Sequence, residues 1–207
     1  MRPDLRATLL LVAAGLASAV FCIFFFSITV YLTGAIFGAA TAICLQKLRI
    51  FDERQAGWFV AVATVAYLLS FGLAVKLDSA FPPVIYSSRP DMEPPIVWLG
   101  GGVFGGFLLI GGALWLLRPK PDGIPFSAWA LGGAAWGGVL AISGWALGPS
   151  LGSMLLKLLE VLPLRMAHRS TRDLYSIYIL WQTGMALMLG LMLGGRRQSS
   201  STEAESQ

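Results

Sequence analysis

The stretch WLGGGVFGGFLLIGGALW, from Trp98 to Trp115, has seven glycines among the thirteen residues from Gly100 to Gly112. In water, each glycine would weaken a helix by about 1 kcal/mol relative to alanine. In a bilayer, an unwound segment would leave N–H and C=O groups unpaired in hydrocarbon, so a segment this apolar remains helical. Its bare surface allows a neighbouring helix to approach closely. The stretch therefore predicts a membrane-spanning helix that packs through glycine.

The composition of the whole chain is also typical of a membrane protein. Of its 207 residues, 56% are apolar and only 13% are charged. An apolar run of about 20 residues crosses a hydrocarbon core ~30 Å thick. The stretch from Ala7 to Gln46 has 40 residues without a charge, which is about twice the length needed. We therefore expect this stretch to fold back on itself between Ser27 and Gly34.

The expected fold class is an all-α membrane protein with six transmembrane helices and an interfacial amphipathic helix before the last span. Ser150 to Leu164 has polar residues at a spacing of three or four, which favours a helix in the membrane interface, and Pro163 limits its length. Residues 1–197 would form one transmembrane domain, and residues 198–207 a disordered tail. The predicted spans are residues 7–26, 31–46, 57–75, 96–117, 126–147 and 174–194.

The distribution of lysine and arginine indicates sidedness. Six spans with a cytoplasmic N-terminus place nine of these residues inside and six outside. A rival topology in which residues 150–164 also cross gives ten inside and four outside, but it buries Lys157 and Glu160, each at a cost of about 2.5 to 3.5 kcal/mol. We expect six spans in a prokaryotic cytoplasmic membrane, with the N-terminus in the cytoplasm.

The glycine pattern of the fourth span recurs in the fifth. An offset of 32 residues superposes the small-residue pairs of the two spans, which only RPKPDGIP connects. We therefore predict an antiparallel hairpin packed backbone to backbone. At 100° per residue, most glycines of the fourth span share one face, and Gly102 and Gly106 lie outside it. The predicted packing residues are Gly101, Gly105, Gly112, Gly133, Gly137 and Gly144.

The polar side chains within the spans predict how the protein functions. None of them is charged in the six-span arrangement, which disfavours an ion-coupled pump. We expect a permease-like unit for a small uncharged or apolar solute, or a subunit of a larger membrane complex. Hydrogen bonding between helices would explain the same polar residues without a ligand. The candidate substrate-binding residues are Thr64, Tyr67, Ser70, Trp136, Ser143 and Gln182.

The alternative function is that of an intramembrane enzyme, protease-like or lipid-modifying, that uses Ser143 and His168. The sequence AISGW around Ser143 resembles the Gly-x-Ser-Gly nucleophile motif of rhomboid-type proteases, with Ala141 in place of the first glycine. His168 is the only histidine and therefore the only imidazole base. It precedes the last span in a basic loop, whereas the resemblance would place the base within a helix.

No cofactor, metal ion or nucleic acid is expected to bind. One histidine and two isolated cysteines, Cys22 and Cys44, do not form a typical metal site, and no phosphate-binding motif is present. The expected partners are the lipid bilayer and either another membrane protein or further copies of this chain. A basic cluster before the last span would contact lipid phosphates or an acidic partner. Its residues are Arg165, His168, Arg169 and Arg172.

Overall fold

The computed structural model describes residues 3–24, 32–80, 95–117, 125–160 and 172–204, and these ranges contain helices and no strand. Five of the helices, all except the second, are long and apolar enough to cross a membrane. The described chain is therefore all-α, as predicted. The helices are α1 Pro3–Phe24, α2 Thr33–Lys47, α3 Glu53–Ala80, α4 Pro95–Leu116, α5 Phe126–Glu160 and α6 Arg172–Ala204.

Two helices extend well past the predicted spans. The apolar part of α5 ends at Gly148, close to the predicted end, but the helix continues through Pro149 to Glu160. The predicted span of residues 126–147 therefore agrees with the apolar part of α5, but residues 150–160 continue this helix past Pro149 and do not begin a separate interfacial helix as predicted. The α6 helix reaches Ala204, into the predicted tail, since no proline or glycine follows Gly195.

The six helices form a closed ring. Each helix packs against its neighbours in the chain, and α6 packs against α1. Neighbouring helices are antiparallel; where α6 meets α1, for example, Gly15 lies beside Gln182 and Gly190 beside Thr8. A ring of alternating helices closes in this way only when their number is even. All six helices contribute to one apolar core, for example through Leu11, Phe37, Phe59, Leu109, Leu140 and Met185.

Large apolar side chains occur on both the inward and the outward faces of the helices. On α1, for example, Leu11 is fully buried whereas Leu9 is 46% exposed. Large apolar side chains are also exposed on the other helices, including Ile43, Leu131 and Leu191. This arrangement is expected when lipid surrounds the bundle, because lipid tails are as apolar as the core.

Two capping motifs close the connection between α2 and α3. Arg49 has a positive φ of 57°, and the N–H of Ile50 donates to the carbonyl of Leu45 at 2.9 Å, as in a Schellman motif. Asp52 and Gln55 then exchange hydrogen bonds of 2.9 and 2.7 Å between side chain and backbone. This pair is a capping box, which satisfies orphan donors at the start of α3. Together the caps hold α2 antiparallel to α3.

The α4–α5 hairpin is packed backbone to backbone, but not through the predicted face of α4. A Cβ atom at Gly102 would lie 2.5 Å from the carbonyl oxygen of Gly137. A Cβ atom at Gly106 would overlap the carbonyl oxygen of Gly133. The glycines of α4 that meet α5 are therefore the two that the sequence placed outside the packing face, and that prediction is wrong.

The predicted face of α4 packs against α3 instead. A Cβ atom at Gly101 would lie 3.2 Å from the carbonyl oxygen of Ser70, and one at Gly105 would lie 2.6 Å from the hydroxyl of the same serine. Gly112 lies against the side chain of Val62. Adjacent residues of a helix are 100° apart, so the doublets Gly101–Gly102 and Gly105–Gly106 each offer bare backbone to both neighbours of α4. Contact with both neighbours explains why glycine is paired at these two places.

Gly144, the last predicted packing residue, serves a different interface. A Cβ atom there would lie 2.7 Å from the Cα atom of Ile177, so Gly144 brings α5 close to α6 and not to α4. Ser176 donates a hydrogen bond of 2.8 Å to the carbonyl of Gly144. The close approach of α5 and α6 positions the first turns of α6, which contribute to the site described next.

Candidate solute site

A half-open cavity with a volume of about 70 Å³ lies between helices α2 to α6. It lies at the end of the bundle that contains the C-terminal half of α3 and the N-terminal turns of α2, α4 and α6. Aromatic side chains form much of its wall, and no charged side chain of the described residues lines it. The aromatic residues are Tyr67, Phe71, Trp98, Tyr178 and Trp181.

The small residues of the helix contacts make room for this cavity. Gly101 and Gly102 of α4, Ala74 of α3 and Ala141 of α5 all line it. Because α4 has no side chain at two successive positions, it contributes only backbone to the cavity wall there. The glycine packing of α4 thus serves both the ring and the site.

A pair of tyrosines connects two helices that are not adjacent in the ring. The hydroxyl oxygens of Tyr67 on α3 and Tyr178 on α6 are 3.0 Å apart. Thr33, the first residue of α2, interacts through its side chain with both tyrosines. The cavity is therefore bounded on one side by a hydroxyl cluster that joins three helices.

Gln182 links the cavity to α1. Its side chain is 1% exposed, and its Oε1 atom lies 2.6 Å from the hydroxyl of Ser18. The same hydroxyl lies 2.8 Å from the carbonyl oxygen of Gly15. The Nε2 atom of Gln182 has no hydrogen-bond partner among the described residues. A buried polar group without a partner costs about 1 to 3 kcal/mol.

Trp181 has a second unpaired donor at the cavity. Its indole Nε1 atom is buried and has no hydrogen-bond partner among the described residues. Its ring packs against Phe37 of α2, with the centroids 6.3 Å apart. Two successive residues of α6 thus border the cavity, and each has a buried polar atom that the described chain leaves unpaired.

The cavity ends at the apolar core. Along α6 the lining residues lie between Ile177 and Gln182, and core residues such as Met185 and Leu189 follow directly. On α3, which runs in the opposite direction, core residues such as Phe59 come first, and the lining residues from Tyr67 to Ala74 follow. The cavity therefore occupies one half of the bundle, and packed side chains fill the other half.

Three of the six candidate substrate-binding residues line the cavity. They are Tyr67, Ser70 and Gln182. The hydroxyl of Ser70 donates to the carbonyl of Ala66 in its own helix, so its lone pairs remain able to accept. The structure therefore brings three of the predicted residues to the cavity, and their role in binding stays a prediction.

The other three candidates lie outside the cavity lining. Thr64 donates a hydrogen bond of 2.7 Å to the carbonyl of Val60 in its own helix. Trp136 donates one of 2.9 Å to the carbonyl of Gly184, and this bond joins α5 to α6. Ser143 is half-buried and does not line the cavity either. Thr64 therefore has an intrahelical bond and Trp136 a packing role, and none of the three residues lies at the site.

Sequence reasoning missed Thr33, Tyr178 and Trp181 as site residues. A signal for α6 was present, because Tyr178, Trp181 and Gln182 are at positions i, i+3 and i+4 and therefore share one helix face. No comparable signal marked Thr33, whose place depends on how α2 packs against α3.

The basic cluster before α6 falls largely outside the described residues. This is true of Arg165, His168 and Arg169, and α6 begins at Arg172 without a described side chain. The predicted lipid contact of this cluster, and the catalytic pairing of Ser143 with His168, stay predictions.

The site combines aromatic walls, a hydroxyl cluster and two unpaired amide or indole groups in an uncharged cavity. Such a lining can hold a small neutral molecule by packing and by a few hydrogen bonds. Comparison with known protein families, with curated proteins and with solved structures finds no match.

Proposed function

We propose that this chain is a permease-like membrane protein that binds a small uncharged solute in the cavity. The observation that carries the proposal is the lining, which is mostly apolar and aromatic with a few hydroxyl and amide groups, and which has no charged side chain among the described residues. An ion would lose its hydration there without a compensating charge, which is costly. A neutral solute loses much less and gains packing against the rings.

We further propose that all six helices cross a prokaryotic cytoplasmic membrane. The α2 helix has 15 residues, or about 22 Å of helix, which is less than a full crossing of ~30 Å. Its antiparallel packing between α1 and α3 supports a crossing nevertheless, because Gly34 and Gly38 bring it against the backbone of α3. Lys47 ends the helix, as expected where a membrane segment reaches the interface.

Six crossings make a prediction about the two termini. We expect reporters fused to the N-terminus and to the C-terminus to lie on the same side, in the cytoplasm. Five crossings, with α2 outside the membrane, would place the termini on opposite sides, and so would seven. Two reporters distinguish these cases when each is fused to either terminus: one fluoresces only in the cytoplasm, and the other is active only outside it. Opposite sides would rule out the six-crossing arrangement.

The position of the cavity suggests how a solute would pass. With a cytoplasmic N-terminus, α1, α3 and α5 end at the outer surface, so the cavity lies in the outer half of the membrane. The packed core closes the inner half. Transport therefore requires a second conformation in which the helices separate on the cytoplasmic side, as in alternating access.

Filling the cavity should stop transport. Ala74 lines the cavity and is 5% exposed, so Ala74→Leu adds three carbon atoms at its wall. For purified protein in lipid vesicles, we expect faster entry of at least one of urea, acetamide and glycerol than in protein-free vesicles. Ala74→Leu should lose most of that difference. Light scattering after rapid mixing with each solute measures the entry rate.

Gly72→Leu, on the same helix, is the matched control. No atom lies within 4 Å of a Cβ atom at Gly72, so this leucine points away from the bundle and should leave entry unchanged. Thermal unfolding of both variants confirms that they are folded. Entry that never exceeds the rate in protein-free vesicles, or equal loss in both variants, would contradict the proposal. A stoichiometric partner that copurifies with a transport-inactive chain would point to a subunit instead.

A further inference from the structure

We infer that the site takes an uncharged solute with a hydrogen-bond-accepting oxygen, and that a primary amide fits it best. This inference rests on the proposed function and adds the chemical class of the ligand. The indole N–H of Trp181 would donate to the oxygen, and the side-chain amide of Gln182 would make the second polar contact.

The Trp181 indole requires an acceptor. An indole N–H donates and cannot accept. The Nε1 atom of Trp181 is buried without a partner among the described residues, and the residue borders the cavity. A solute in the cavity that reached this N–H would supply the acceptor that the described residues do not. A cation would face the positive end of the N–H dipole, so the donor favours an oxygen acceptor, and the uncharged lining favours a neutral one.

The Gln182 amide offers a polar atom in either of its two orientations. If the Ser18 hydroxyl donates to Oε1, the Nε2 donors of Gln182 are left over. If the amide is turned over, Nε2 donates to Ser18 and Ser18 donates to the carbonyl of Gly15, which leaves Oε1 as an unpaired acceptor. In both cases one amide atom needs a partner. A primary amide carries both an acceptor and donors, so it can pair with either orientation.

The size of the cavity and its walls restrict the rest of the solute. A volume of about 70 Å³ is roughly half of the 150 Å³ engineered cavity that binds benzene. A solute of a few non-hydrogen atoms is therefore appropriate, with its apolar part against Phe71 and Trp98. Acetamide has this size and chemistry and is a suitable probe.

The test uses the indole N–H signals of the full chain. Protein labelled with ¹⁵N at its tryptophan indoles is placed in lipid nanodiscs and titrated with acetamide, and Trp181→Phe identifies the Trp181 signal. We expect a saturable downfield shift of that signal. The Nε1 atom of Trp129 is also buried without a partner among the described residues, but Trp129 is not part of the lining, so its signal should not move.

Variants connect this shift to affinity. We expect Gln182→Leu to weaken acetamide binding, read from the Trp181 signal, by on the order of fivefold, the typical effect of one hydrogen bond. Trp129→Phe is the matched control and should bind acetamide normally. An unchanged Trp181 signal, equal shifts of all indole signals, or saturable shifts with tetramethylammonium in place of acetamide would overturn the inference.

The two proposals fail in different ways. If acetamide shifts the Trp181 signal but no solute enters vesicles faster, the assigned ligand class stands and the permease function falls. If Ala74→Leu blocks solute entry while the Trp181 signal ignores acetamide, the permease function stands and the ligand class is wrong.

Discussion

Gly106→Ala is expected to destabilise the protein by about 2 to 3 kcal/mol, near the upper end of the usual cost of overpacking. The new Cβ atom would overlap the carbonyl oxygen of Gly133 on α5. A side chain could turn aside, but a backbone carbonyl in a helix cannot, so α4 and α5 would have to separate. Separation would also disturb the contact of Gly102 with Gly137. The free energy of unfolding in mixed detergent micelles, titrated with a denaturing detergent, measures the loss.

Gly111→Ala on the same helix is the control for this prediction. A Cβ atom at Gly111 would have only the ring of Phe126 near it, at 3.8 Å. Because alanine is the better helix former, this variant should be neutral or more stable by up to about 1 kcal/mol. The two substitutions are chemically identical, so opposite signs can come only from their surroundings. Equal effects would show that α4 and α5 are not in backbone contact at Gly106.

The second large effect is expected where the ring closes. Gly15→Leu places a Cβ atom 2.7 Å from the carbonyl oxygen of Gln182 and 2.8 Å from the Cβ atom of Ala186, and the rest of the leucine needs still more space. We expect a loss of about 3 kcal/mol or more, because overpacking against backbone cannot be relieved by rotamers. The change should also break the contact between Ser18 and Gln182, and α1 should separate from α6.

Cys22 reports this separation directly. It is fully buried on the same face of α1 as Gly15 and lies two residues before the helix ends. In a Cys44→Ala background, we expect Gly15→Leu to raise the rate at which a maleimide labels Cys22 several-fold. Gly57→Leu is the control, since no atom lies within 4 Å of a Cβ atom there. Unchanged labelling of Cys22 together with wild-type stability would mean that the ring is not closed through Gly15.

The apolar segments could be located from the sequence because their signal is local. Length, the absence of charge and flanking polar residues placed the fifth span at residues 126–147, and the apolar part of α5 is Phe126–Gly148. The continuation of that helix to Glu160 was not predicted, because the polar spacing from Ser150 onward was interpreted as a separate helix in the membrane interface. The caps at Arg49 and Asp52 were also missed, although the pairing of Asp52 with Gln55 has the spacing of a capping box.

The sequence by itself determined that this is a helical membrane chain with glycine-mediated contacts, because composition and segment length are independent of what each helix meets. Only the tertiary structure decided which faces meet, namely that Gly102 and Gly106 contact α5 while Gly101 and Gly105 contact α3. It also decided that Tyr67, Tyr178 and Trp181 border one cavity. In water the contrast between a polar and an apolar face shows which side of a helix is buried. A helix that is apolar all round has no such contrast. Its contact face therefore depends on its neighbours.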